Sequence, residues 1–265
     1  MKPTMLLTRP QSLFSAVEVG TGISDEVLHS CAILFSSNCG IWGEKANSIS
    51  PYTKPDGELV GHTFATVWSY EGGVVGWIAQ LVVDKRVRRR YVATQLLQMF
   101  KRHSLFVDVT AVGLVSSHPV ACQALAKYAC VNVAKVDLDF IRLEAKNILK
   151  DATVEYLKSA VLKGSIFEEG PEPGVVSTVF TQFYVDHAEP IAALEGFRKN
   201  HGWCLDDLPD GYEFLAVVRL PNPARYNFSP ALCAFFLDAS CELALRQKNH
   251  NVSPLIMVLS RNYGP

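Results

Sequence analysis

The chain changes character sharply at one point. The apolar run Leu81-Val82-Val83 gives way to Asp84-Lys85-Arg86-Val87-Arg88-Arg89-Arg90, after which Val92, Leu96, Leu97, Met99 and Phe100 recur at helical spacing. A strand that ends in a cationic turn and opens directly into a helix aims the helix's first free N–H groups, and the positive end of its dipole, at whatever occupies the turn. Such a place holds an anion, typically a pyrophosphate. The same outline recurs downstream. Residues 109–115 form a continuous apolar run, Ser116-Ser117-His118-Pro119 is a turn with proline near a helix start, and residues 120–129 are a small-residue helix. Two strand-turn-helix units in succession predict an α/β chain whose sheet has parallel neighbours.

The flanking segments extend that sheet. Two β-branched and aromatic runs, residues 63–70 and 74–83, are joined by Glu71-Gly72-Gly73, which predicts an antiparallel hairpin feeding the cationic turn. Before it, Ser24-Asp25-Glu26 caps a helix carrying Val27, Leu28, Cys31, Ala32, Leu34 and Phe35 with Gly40 as its stop, and residues 48–61 have the composition of a surface loop. After it come a partly solvated helix over 141–162, an exposed linker over 164–174, strands over 175–185 and 212–220, and a helix over 189–200 inserted between them. The last residues, from Pro221, predict one helix over 231–247 and a final apolar run over 255–259. The expected organisation is a domain over 1–220 with an inserted helix near 189–200, and an extension over 221–265 packed on it.

Composition narrows the functional class. The 25 Lys and Arg balance 26 Asp and Glu, so the basic excess of a nucleic-acid binder is absent. The seven cysteines are odd in number and scattered, mostly among apolar residues, which reads as buried reduced thiols, and without a Cys-x-x-Cys pair no metal site is expected. The stretch 1–9, broken by Pro3 and Arg9, is too short for a signal peptide or a membrane span, so a cytoplasmic chain with no membrane partner is expected. Nothing in the sequence selects an oligomeric state.

From Leu81 to Leu97 the chain resembles, without a gap, the acyl-CoA N-acyltransferase (GNAT) pattern. That pattern is a strand followed by Arg or Gln, two variable residues, Gly, one variable residue, then Gly or Ala. Arg88 falls on the Arg or Gln position and Ala93 on the last small position. The wording of Phe64-Ala65-Thr66-Val67-Trp68 and of residues 77–83 looks like a fungal branch of the family. The resemblance implies an α+β fold with a mixed, mostly antiparallel sheet, helices on both faces, and the family's fourth and fifth strands splayed apart to admit an acyl group. Acetyl-CoA or another acyl-CoA is the implied co-substrate and a primary amine of a small molecule, of the kind met in specialised metabolism, the acceptor. Leu81 and Val83 fall where the family's fourth strand hydrogen-bonds the pantetheine arm. The main-chain N–H groups of Arg88, Arg89, Arg90, Tyr91, Val92, Ala93 and Thr94 fall where the pyrophosphate is held.

Two features qualify the implied chemistry. Tyr91 stands at the pattern's first glycine, where backbone must come close to phosphate and a Cβ with a phenol fills space. Either the loop shifts and keeps a weaker cradle, or CoA binding has been lost and the scaffold serves as a cofactor-independent lyase, isomerase or cyclase on a small metabolite. Tyr128, four residues after Ala124 on the second helix, falls on the position of the acid that protonates the departing thiolate. The strand before Asp84 offers no carboxylate as base, which leaves His118, a side chain that titrates near neutrality, as the candidate.

Overall fold

The computed structural model describes residues 13–19, 23–38, 58–168, 173–200, 202–221 and 255–261. The expected helix over 231–247 lies outside the described residues. One mixed sheet of eight strands organises the chain. Its strands are β1 (Leu13–Val19), β2 (Glu58–Tyr70), β3 (Gly73–Val83), β4 (Ala111–Ser116), β5 (Val161–Lys163), β6 (Thr178–Phe180), β7 (Tyr212–Arg219) and β8 (Leu255–Arg261). Their spatial order is β1-β8-β2-β3-β4-β7-β6-β5. Every neighbouring pair is antiparallel except β3 and β4. The final apolar run of the sequence enters the sheet as β8, between β1 and β2.

The helices are α1 (Asp25–Asn38), α2 (Val92–Phe100), α3 (Pro119–Tyr128), α4 (Leu138–Lys150), α5 (Glu155–Lys158) and α6 (Ala188–Asn200). Strand alternation sorts them onto two faces. Gly61 of β2 meets Val92 and Leu96 of α2, and Gly76 of β3 meets the Phe106 ring, which stacks on Phe100 at 4.8 Å. The opposite parity carries Trp68, whose indole N–H donates to the Ile148 carbonyl of α4 at 2.9 Å, and Trp77, 5.7 Å from Trp68. On that same face Phe64 packs toward Cys31 of α1, and Arg219 of β7 lies over the Phe140 ring of α4. Both faces are sealed by fully buried side chains, Leu96, Leu97, Leu125 and Phe214 on one and Trp77, Ile141, Ile148 and Leu215 on the other. Gly113 of β4 is the packing concession that admits Trp77, because a Cβ there would stand 2.6 Å from the indole Cε3. Among the described residues no helix is long and apolar enough to cross a membrane.

The structure departs from the sequence expectation at several places. The helix expected through 162 stops at Lys150, because Trp68 takes the Ile148 carbonyl and the Ala152 N–H turns back to Leu149 at 3.2 Å; a separate short helix, α5, and β5 follow. The strand expected over 175–185 is reduced to Thr178–Phe180, because the Thr181 and Gln182 N–H groups both turn to the Gly211 carbonyl and Gln182 takes a φ of 60°. The last residues of the expected loop over 48–61 are already strand, held by the Asp84 N–H donating to the Val60 carbonyl at 2.9 Å. Of the cysteines expected to be buried, Cys31 and Cys122 are; Cys204 is partly covered and Cys130 is exposed in a left-handed turn closing α3. None of those four forms a disulfide.

Candidate functional site

The parallel ladder between β3 and β4 runs from Val75 opposite Ala111 to Ile78 opposite Leu114 and stops there. Both strands continue, β3 to Val83 against β2 and β4 to Ser116 against β7. Where the ladder stops, the β2–β3 register skips Ala79, since Ala65 faces Ile78 while Phe64 faces Gln80. A bulge adds one residue to one strand, bends it and interrupts pairing on its far side. The Asp84 N–H donates toward β2, so the period of an antiparallel ladder turns the main-chain groups of Leu81 and Val83 the other way, toward the gap beside β4. Leu81 and Val83 therefore present a strand edge that β4 no longer covers, the Val83 carbonyl being taken instead by Arg88.

This edge leads into the cationic turn. The buried Asp84 carboxylate accepts from the Arg86 N–H at 2.8 Å and from the Arg86 guanidinium, closing a single helical turn over Lys85–Val87. Arg88 folds inward: its Nε donates to the Val83 carbonyl at 3.2 Å, one terminal nitrogen donates to the Asn38 carbonyl at 2.7 Å and the other to the Glu189 carboxylate. Arg88 thus ties the ends of β3, α1 and α6 together. Arg89 and Arg90 point to solvent. Tyr91 is the residue before α2, in the left-handed region at φ 62° and ψ 12°, and its side chain makes no capping bond. The first helical bond of α2 runs from the Gln95 N–H to the Tyr91 carbonyl, so Val92, Ala93 and Thr94 keep N–H groups without an intrahelical acceptor. Tyr91 therefore holds the backbone shape that a glycine adopts without strain, while its ring stays 69% exposed with Lys127 of α3 5.6 Å from its centre.

His118 sits at the far lip of the gap as the cap of α3. Its Nδ1 accepts the Val120 N–H at 3.3 Å, which assigns the ring hydrogen to Nε2, 3.8 Å from Glu189. Burial pushes its pKa down, Glu189 pulls it up and Arg88 pushes it down again. The lone pair that a base needs is engaged in the cap. Glu189, the first acidic residue of α6, collects Lys85, Arg88 and His118 around one carboxylate. Tyr128 stands at the opposite end of α3 from His118, about 15 Å along the helix axis. Its ring is 3% exposed beneath the Lys101 ammonium, 4.8 Å away, and burial drives its pKa well above the usual phenol range. The structure thus brings Leu81, Val83, Arg88 and His118 together at one gap, sets Val92, Ala93 and Thr94 at its end, and leaves Tyr128 apart.

A group absent from the sequence reading lies on the opposite face of the sheet, one strand beyond β4 from the gap. Glu213 of β7 follows Tyr212 and precedes Phe214, whose register partner is Ser116, so it lies beside Ser117 just past the end of β4. It shares its face with Leu215 and Val217, both buried. Burial raises its carboxyl above the ordinary carboxylate range, against the opposing pull of the Thr181 hydroxyl and the Ser117 backbone. The signal was available: strand alternation puts this one acid in line with two core residues. Separately, Gln123, Lys127, Val131, Asn132, Val133 and Asn200 line an open cleft of about 420 Å³ beside α3. Among the described residues no three His, Cys, Asp or Glu side chains assemble as a metal-binding group. Compared with family models, with curated proteins and with solved structures, the chain gave no match in any of the three.

Proposed function

We propose that the chain is an N-acyltransferase with the acyl-CoA N-acyltransferase fold, moving an acetyl or other acyl group from acyl-CoA to a primary amine of a small molecule. The observation that carries the reading is a strand edge, opened at Leu81 and Val83 by the Ala79 bulge, that runs into the uncapped end of α2. An extended arm ending in a pyrophosphate fits such a track. The arm adds to the sheet edge as a strand would, and its anion meets the free N–H groups of Val92, Ala93 and Thr94 with Arg89 and Arg90 beside them. The stopped ladder between β3 and β4, which correspond to the family's fourth and fifth strands, supports the splay that the fold requires. In this reading Arg88 is a structural tie, Leu81, farther from α2 along the edge, lies nearer the thioester than Val83, and Tyr128 takes no part in proton transfer.

A second reading, a repurposed scaffold that converts a small metabolite without CoA, is favoured by one arrangement. Glu189 already gives Arg88 a carboxylate partner, and a tyrosine replaces the glycine of the cradle. Isothermal titration with acetyl-CoA and with CoA separates the two. The acyltransferase reading expects binding by the wild type that Arg89→Ala with Arg90→Ala weakens by about 1 to 3 kcal/mol, the worth of lost charge-assisted hydrogen bonds. Absence of binding by the wild-type chain sinks it.

A further inference from the structure

Where α1, α4 and α5 cover the sheet, the interrupted ladder is bordered by polar groups that the acyl donor does not use. Trp77 is 0% exposed, yet its indole N–H has no hydrogen-bond partner of ordinary geometry, and the same holds for the buried Thr181 hydroxyl. Both lie around Glu213: Thr181 acts on its carboxyl directly, and Tyr156 of α5 stands between, sensing the charge of Glu213 and the indole of Trp77. Tyr156 is 43% exposed, which brings one edge of the cluster to the surface beside α5. The other carboxylates at the site are matched, Asp84 by Arg86 and Glu189 by Arg88. Among the described residues no cation pairs with Glu213, and Arg219, on the same strand face, is spent over the Phe140 ring at 4.5 Å. Glu213 is partly buried and has no counter-charge, so a cation brought by the substrate would stabilise its ionised form.

We propose that Glu213 is the catalytic carboxylate that receives the acceptor, holding the substrate's primary ammonium on the α4–α5 face and taking its proton before the nitrogen attacks through the β3–β4 gap. The proposal rests on the acyltransferase reading. The ammonium gives one proton to the Glu213 carboxylate and becomes a neutral amine. The amine nitrogen forms a bond to the thioester carbonyl carbon, the carbon–sulfur bond breaks, and the sulfur leaves with the electron pair. The nitrogen then loses a second proton, which ends on the sulfur, giving amide and free thiol, while Glu213 returns its proton to solvent. Trp77 and Thr181, whose polar groups make no hydrogen bond of ordinary geometry, border the acceptor, and burial shifts the Glu213 carboxyl upward, toward easier proton uptake. The titratable groups facing Glu213 are Tyr156 on this side and, through the sheet, Cys122 of α3.

The test uses the full chain with acetyl-CoA and three probe amines, 2-phenylethylamine, putrescine and glycine ethyl ester, following release of the CoA thiol. Glu213→Gln, which keeps shape and removes the charge, is expected to lower kcat/KM by about 100-fold or more at neutral pH. The deficit should shrink as pH rises and the amine deprotonates unaided, Glu213→Asp should recover part of the loss, and CoA affinity by calorimetry should stay within about twofold because the donor lies on the other face. Turnover by Glu213→Gln equal to wild type overturns this proposal and leaves the acyltransferase reading standing. Acetyl-CoA binding with no turnover of any of the three amines also counts against it. Failure of the wild type to bind acetyl-CoA removes both.

Discussion

Replacing Tyr91 by glycine tests the cradle at the residue that departs from its pattern. An interior helix position would lose about 1 kcal/mol to glycine, but Tyr91 lies before the first turn of α2, where that cost does not apply. Three effects remain. Holding an L-residue in the left-handed region costs about 1–2 kcal/mol, which glycine recovers. Glycine's freer unfolded chain returns roughly 0.5–1 kcal/mol of that. Losing the Lys127 ammonium over an exposed ring costs about 0.5–1 kcal/mol. The effects nearly cancel, so Tyr91→Gly should change stability by no more than about 1 kcal/mol in urea denaturation with an unchanged slope. Any gain in CoA affinity is then not a refolding artefact. With the Cβ and phenol gone, one further backbone N–H can reach phosphate, and a charge-assisted bond worth about 1.5–3 kcal/mol tightens binding by roughly ten- to a hundredfold. Two results refute the reasoning. Destabilisation beyond about 2 kcal/mol would mean the ring carries packing that its exposure does not suggest, and tight wild-type binding left unaltered would mean Tyr91 faces away from the anion.

The other arginines and the buried histidine yield further expectations. Arg88→Ala should destabilise the chain by about 2 kcal/mol, because three hydrogen bonds to Val83, Asn38 and Glu189 are lost and the Glu189 bond is discounted for exposure, whereas Arg89→Ala alone should stay within about 0.5 kcal/mol. Equal melting shifts for the two variants would contradict the tie. His62 is 0% exposed, bonded through Nε2 to Gln80 at 2.6 Å with Nδ1 unpaired, and burial pushes its pKa down from 6.5 to about 4. Its unfolded form binds the proton first, so its contribution to stability is complete above pH 6.5 and is lost as pH falls toward 4, in total about 3 kcal/mol. Urea midpoints measured across that window should fall less steeply in His62→Gln than in the wild type, and parallel slopes would rule this out.

What the sequence made legible was local. The hairpin through Glu71-Gly72-Gly73, the cationic turn and the helices α2 and α3 all carry their signals within a few residues, through turn glycines, apolar spacing and a proline at a helix start. Contacts with distant partners were not legible. The end of α4 is decided by the indole of Trp68, 80 positions away, and Arg88 is withdrawn from the turn by Asn38 and Glu189, 50 and 101 positions away. A run of arginines reads as a row of free cations when only neighbours are visible. The structure divides the run into one tie and two exposed charges.

The same division separates the two carboxylates that matter at the gap. Glu189 heads an exposed helix, and its sequence surroundings read as an ordinary first-turn acid, yet it gathers Lys85, Arg88 and His118 and so locks α6 over the turn. Glu213 sits near the start of β7, and alternation puts it on the face of Leu215 and Val217. Half-buried beside Thr181 and Ser117, it has hydrogen-bonding partners but no cation among the described residues. In the proposed reading the acid matched by cations holds the architecture and the other receives the acceptor. In the proposed transfer the bulge at Ala79 joins their roles, because it ends the β3–β4 ladder where donor and acceptor would meet from opposite faces of the sheet.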